Sequence, residues 1–159
     1  MHGLQPLKAV RAVLSSYARR GVFRSFQETF AGPGKVCFQF HWLWNAPFTL
    51  TFHPKSGALS FDGLLPEVAR GSELEKGLKA FIAECCSPGR VEHRRVDPRR
   101  VSVAASNRGG RMSVRVRARN NDYDYAARKA VQLANEILLS YISVHYPDYL
   151  VKHFRAPEE

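Results

Sequence analysis

Val101-Ser102-Val103-Ala104-Ala105-Ser106-Asn107-Arg108-Gly109-Gly110-Arg111-Met112-Ser113-Val114-Arg115-Val116-Arg117-Ala118-Arg119 is the stretch that decides the fold. Val101, Val103 and Ala105 alternate with Ser102, Ala104 and Ser106. Met112, Val114, Val116 and Ala118 alternate with Arg111, Ser113, Arg115, Arg117 and Arg119. Period two is the strand period, so the segment predicts two half-buried strands joined at Asn107-Arg108-Gly109-Gly110. A loop centred between Arg108 and Gly109 pairs Ala105 with Met112, Val103 with Val114 and Val101 with Val116. The polar face then pairs Ser106 with Arg111, Ser102 with Arg115 and Arg100 with Arg117. A slip of one residue would bury the arginines, so the faces are fixed more firmly than the register.

Working outward, residues 35–65 read as a three-strand antiparallel meander. Val36, Phe38, Phe40, Trp42 and Trp44 alternate with Cys37, Gln39, His41 and Leu43, and Phe48, Leu50 and Phe52 alternate with Thr49, Thr51 and His53 after the turn at Asn45-Ala46-Pro47. Pairing Trp44 with Phe48 sets His41 opposite Thr51 and His53 opposite Gln39. Leu59 and Phe61 form the apolar face of the third strand. A helix over residues 6–20 carries Leu7, Val10, Leu14 and Tyr17 on one face. Residues 22–30 are ambiguous: Phe23, Phe26 and Phe30 have helical spacing before Ala31-Gly32-Pro33-Gly34 breaks the chain. A helix over 72–86 opens on the capping box Ser72-Glu73-Leu74-Glu75 and buries Leu74, Leu78, Phe81, Ile82 and Cys85. A long helix over 123–145 carries the stripe Ala127, Ala130, Ala134, Ile137, Leu138, Tyr141 and Val144, followed by a short turn at 148–154 and a frayed tail. The order α-β-β-β-α-β-β-α predicts one α+β domain over 1–159: a five-stranded, mostly antiparallel sheet with helices packed on one face. The hairpin and its approach span 99–119.

Charge narrows the function. The 159 residues carry 24 Lys+Arg and 14 Asp+Glu, a net +10. Within residues 90–119, 10 arginines face 2 acids, so this segment carries +8 of the total. Arg111, Arg115, Arg117 and Arg119 project from one strand face, with Arg100 expected beside them, as a binding surface for an anion. The bland alternative is a solvated face whose arginines pair with acids such as Asp62, Asp122 or Asp124. No apolar run reaches membrane-spanning length, and the start of the sequence does not read as a secretory signal. Three cysteines, Cys37, Cys85 and Cys86, make no disulfide framework and point to a cytoplasmic setting. No GxSxG, phosphate-binding GxxxxGK[ST], GxGxxG or HExxH motif is present, so no catalytic residue or cofactor is assigned. His41 and His53 share a polar face without a third ligand, so no metal site is assigned.

This element order and these amphipathic segments, over residues 7–154, resemble type III secretion chaperones and the related sensory-transduction-regulator-like bacterial proteins. The resemblance implies a non-enzymatic domain, a homodimer, that binds another protein. Those chaperones are typically acidic, whereas this chain is strongly basic, and no functional residue is carried over. The leading expectation is a non-catalytic binding or adaptor domain that recognises an acidic or phosphorylated partner through the arginine face. A nucleic-acid-binding protein using the same face is the alternative. A small-ligand sensor or enzyme with a pocket between sheet and long helix is the third reading.

Overall fold

The periodic segments form helices and strands of the expected type, with Trp42 to Trp44 falling outside the strand expected for them, and one strand forms where no period shows it. The computed structural model describes residues 4–30 and 32–157. Residues 1–3, residue 31 of the expected breaker and the last two residues of the tail lie outside the described residues. In chain order come α1 (Leu4–Arg19), β1 (Arg24–Phe30), β2 (Val36–His41), β3 (Pro47–His53), β4 (Ala58–Leu65), α2 (Glu73–Cys85), β5 (Val101–Arg108) and β6 (Arg111–Ala118). Helix α3 starts as an α-helix over Tyr123–Glu136, widens to π geometry over Ile137–Ile142 and ends as Ser143–His145. Helix α4 is Pro147–Phe154. Among the described residues, no helix is long and apolar enough to cross a membrane.

The chain is α+β, with an antiparallel sheet in the order β1-β2-β3-β4-β6-β5. Six strands replace the five expected, because residues 24–30 form β1 rather than a helical turn. The helical spacing of its phenylalanines arises from a bulge. Ser25 takes φ 54°, and the pairing with β2 slips between Arg24 and Gln27. An extra residue in one strand throws neighbouring side chains onto the same face. Phe23 therefore stacks on Phe40 at 3.9 Å, and Phe26 on Phe38 at 5.9 Å. Phe30, at the far end, is 76% exposed.

The sheet buries one face. Phe38, Phe40, Phe48, Leu50, Phe52, Leu59, Phe61, Val114 and Val116 point into a core that α1 and α3 cover. Each phenylalanine removed from water in this way contributes about 1.5–3 kcal/mol. The opposite face carries Gln39, Thr49, Asp62, Ser113, Arg115 and Arg117 and lies open. Strand β4 is central, and its run Ala58–Phe61 is buried on both faces.

Two registers differ from expectation by an even number of residues, which keeps every face. In the β5–β6 hairpin Arg108 pairs with Arg111, Ala104 with Arg115 and Ser102 with Arg117. The loop is the two-residue Gly109-Gly110, with φ +60° and +88°. Two successive positive φ values match the twist of a tight hairpin, and glycine adopts them without steric cost. In the meander Phe40 pairs with Phe48, His41 with Pro47 and Cys37 with Thr51. The chain leaves β2 at His41 and makes a tight turn over Leu43–Asn45, where Trp44 takes φ 55°. Trp44 is thus a turn residue and not a strand residue, and its ring lies 5.8 Å from that of Phe154.

Helix α2 begins as read. The Ser72 hydroxyl accepts from the Glu75 N–H at 3.3 Å, and the buried Glu75 carboxylate accepts from the Gly71 N–H at 2.8 Å. Leu78, Ile82 and Cys85 are buried, while Leu74 and Phe81 are half-buried. In α3 the apolar stripe holds as far as Tyr141, but Val144 is exposed. The π turn places one extra residue in the helix, so the stripe resumes through Ile142 instead.

Candidate functional site

The arginine-rich segment divides in two. Residues 90–100 form a loop that feeds β5, and one side of α3 holds it. Tyr125, Lys129, Gln132 and Glu136 recur at helical spacing on that side. The Tyr125 hydroxyl accepts from the Asp97 N–H at 2.9 Å. Lys129 donates to the His93 carbonyl at 3.2 Å, and Gln132 donates to the Arg94 carbonyl at 2.7 Å. Glu136, almost fully buried, accepts from Arg90 and from Arg94, the latter through bonds of 2.7 to 3.2 Å. Arg99 pairs with Asp97. Arg100 donates to Asp122 at 2.6 Å and lies 3.7 Å from the Tyr125 ring centroid. Arg90, Arg94, Arg99 and Arg100 are thus paired with carboxylates of the fold, whereas Arg95 makes no ion pair among the described residues. The polar stripe on α3 lies beside the alanine-rich face, and the helical spacing of Tyr125, Lys129, Gln132 and Glu136 is its only signal in the sequence; the burial of Lys129 and Glu136 appears only in the fold.

The hairpin arginines are different. Among the described residues, Arg108, Arg111, Arg115, Arg117 and Arg119 have no carboxylate within 4.0 Å, and neither has Lys35. Arg117 donates to the Ser56 carbonyl at 3.0 Å. Of the acids expected to neutralise this face, Asp122 binds Arg100 and Asp124 binds Arg128, while Asp62 makes no ion pair among the described residues.

The five arginines read from the sequence do not converge. Arg111 and Arg115 line one basin on the open sheet face, with Lys35, Arg108, His53 and Asp62. Arg117 is on the same face. Arg100 turns instead towards the start of α3. Arg119 borders a groove between α2 and the outer edge of β5, where Ile82, Cys86, Val103 and Ala105 are the apolar lining. Lys35 and Arg108 join the basin because the hairpin and the β1–β2 turn bring them there, a placement that depends on the register.

The basin, about 590 Å³, exists because Arg115 has small neighbours. Ser60 faces it on β4 and Ala104 on β5. The Ser60 hydroxyl is buried, at 2% exposure for the residue, and has no hydrogen-bond partner among the described residues. Burial, Arg115 and Lys35 hold the His53 imidazole below its ordinary proton affinity, with Asp62 opposing them. A like-charged cluster of this kind is destabilising until an anion or solvent screens it.

A second compartment of about 270 Å³ adjoins the basin and shares Arg111 and Asp62 with it. Its floor is apolar, built from Phe48, Phe61, Leu64 and Phe154, and His153 stands at its rim. The shared wall depends on a bulge in β4 between Phe61 and Leu65. Gly63 takes φ +64° there, and its N–H donates to the Ser113 hydroxyl at 2.9 Å. The Arg111 guanidinium lies where a Cβ on residue 63 would stand.

His41 and His53 are separated by register, since His41 faces Pro47 while His53 is at the opposite end of β3. Among the described residues, no three His, Cys, Asp or Glu side chains are grouped to hold a metal ion. Compared with protein-family models, curated proteins and solved structures, the chain matches none.

Proposed function

We propose that this chain is a non-catalytic binding domain that recognises an acidic or phosphorylated protein partner through the open sheet face around Arg111, Arg115 and Arg117. One observation carries the reading. Among the described residues the fold supplies carboxylates to Arg90, Arg94, Arg99 and Arg100, four of the five arginines of the 90–100 loop, but to none of the hairpin arginines or Lys35. Unscreened like charges cost stability, and a partner's anion would repay that cost. Arginine's planar fork suits carboxylate and phosphate groups. The nucleic-acid alternative is less well supported. Base stacking needs exposed rings, and Phe38, Phe40, Phe48, Phe52 and Phe61 are buried on the helix side, which leaves Phe30 at the β1 edge as the one exposed phenylalanine among the described residues.

A homodimer belongs to the same proposal. Strand β5 is the last in the sheet, and the backbone groups of Val103 and Ala105 point away from β6 beside the α2 groove. Light scattering tests this, and a monomer at micromolar concentration removes the dimer from the reading. The three free cysteines accord with a cytoplasmic setting.

The test is fluorescence anisotropy at low salt with polyglutamate, phosphopeptides, duplex DNA and single-stranded RNA. Acidic or phosphorylated polypeptides bind, and Arg115→Ser/Arg117→Ser weakens them without moving the urea midpoint. Binding of nucleic acid alone, with a log–log salt slope near about −0.9 per phosphate, replaces this reading by the nucleic-acid one. Binding of none of the probes overturns both, and so does indifference to the double substitution.

A further inference from the structure

We propose, resting on the reading above, that the sheet face selects a protein segment in which a phosphorylated residue stands next to a large apolar residue. The phosphate enters the basin at Arg115, and the apolar side chain enters the adjoining compartment across Arg111.

Three observations converge. First, the two compartments are contiguous and differ in lining. Lys35, Arg108 and Arg115 outnumber the one carboxylate, Asp62, in the larger, while Phe48, Phe61, Leu64 and Phe154 line the smaller beside Asp62 and His153. Arg111 belongs to both, which fixes the charged and apolar groups of one ligand side by side. Second, the basin offers more than cations. The unpartnered, buried Ser60 hydroxyl sits directly across from Arg115. A phosphate dianion brings three acceptor oxygens and so uses several donors at once, where a carboxylate brings two. Third, the apolar compartment is small. At about 270 Å³ it lies just under the roughly 300–1,000 Å³ typical of whole-ligand pockets. That volume suits one side chain rather than a long acyl chain. These dimensions favour a peptide over a phospholipid.

Gly63 is what makes the arrangement possible. Its positive φ accompanies the shift of register between β4 and β6, and its missing side chain leaves the space the Arg111 guanidinium occupies at the shared wall. A bulge that re-aims a side chain is a recurrent device at binding sites.

The experiment uses labelled Gly/Ser heptapeptides carrying phosphoserine beside leucine on either side, phosphoserine beside serine, or serine beside leucine. Vesicles containing phosphatidic acid are the lipid probe. One phosphoserine–leucine order binds about tenfold or more tighter than either peptide that lacks one of the two groups, the range a fitted apolar side chain gives. Arg115→Gln removes the advantage of phosphate but keeps that of leucine. Ala46→Leu, which fills the smaller compartment, removes only the advantage of leucine. Arg111→Gln reduces both. Urea midpoints of the variants confirm that each is folded. If phosphopeptides bind equally with leucine or serine, this inference fails while the broader reading stands. If polyglutamate and all phosphopeptides fail together, the broader reading fails as well. Binding to the vesicles but not to the peptides overturns the inference in favour of a lipid surface.

Discussion

Replacing Glu136 by glutamine separates the structural arginines from the free ones. Glu136 is the buried anchor of the 90–100 loop, with its side chain 11% exposed, as is that of Arg90. The substitution keeps shape and removes the charge that two guanidiniums share. Breaking a buried ion pair from one side costs about 3–5 kcal/mol, because the remaining charge is left without compensation. Two features reduce that figure. Arg94 is 48% exposed and regains water, so its share is near that of a surface pair, about 0–1 kcal/mol. Arg90 also retains Glu84 at 3.4 Å, an exposed partner in screened surroundings. The expected loss is about 3 kcal/mol, which at about 2–4 °C per kcal/mol lowers the melting temperature by about 6–12 °C. Urea unfolding followed by tryptophan fluorescence reads the first quantity and calorimetry the second. Arg115→Ser, measured alongside, stays within about 0.5 kcal/mol of the parent. A loss below about 1 kcal/mol for Glu136→Gln would place its pairs among ordinary surface contacts and remove the distinction on which the binding face rests.

Other consequences are open to direct measurement. Gly63→Ala places a side chain at φ +64° and against the Arg111 guanidinium, so it costs about 1–2 kcal/mol in urea unfolding; an unchanged midpoint would show that the bulge is not strained. His53 has a folded-state pKa below its ordinary 6.5. As pH falls through 6.5 the unfolded chain binds a proton that the folded chain still refuses, so stability drops until the lower folded value is passed. His53→Gln therefore flattens the urea midpoint between pH 8 and pH 5 relative to the parent, and parallel curves would refute the assignment. The buried Cys85 thiol is pushed up to about 11 by desolvation. In the native protein at pH 8 it resists iodoacetamide, and urea releases it. Rapid native labelling of Cys85, located by mass spectrometry, would contradict its burial.

The legible parts of this fold were those whose two faces meet different surroundings. The β2–β4 meander, the β5–β6 hairpin and the α2 cap all stood in the sequence, because apolar and polar residues there alternate with the backbone period. Strand β1 did not, since most of it is exposed at a sheet edge and its bulge gives Phe23 and Phe26 a helical spacing. Register was weaker than face for a physical reason: a shift of two or four residues keeps every side chain on its side. The Gly109-Gly110 pair carried the missing information, as did the turn that takes Trp44 out of β2. For the binding face, Arg111, Arg115 and Arg117 were readable from alternation alone. Lys35 and Arg108 required the register, and Gly63 required the bulge. The diversion of Arg100 to Asp122 and Tyr125 depends on where α3 begins in space, which no local pattern encodes.

The π turn of α3 also has a consequence for what changes the chain tolerates. Tyr141 comes out of that turn with its hydroxyl donating to the Leu74 carbonyl at 3.0 Å, over a point on α2 where Gly77 leaves room for the ring. Truncating Tyr141 would leave Gly77 beside an unfilled gap, and enlarging Gly77 would force the same ring out from the other side. Side-chain volume at these two positions therefore behaves as a single variable, and drift in either is constrained by the other.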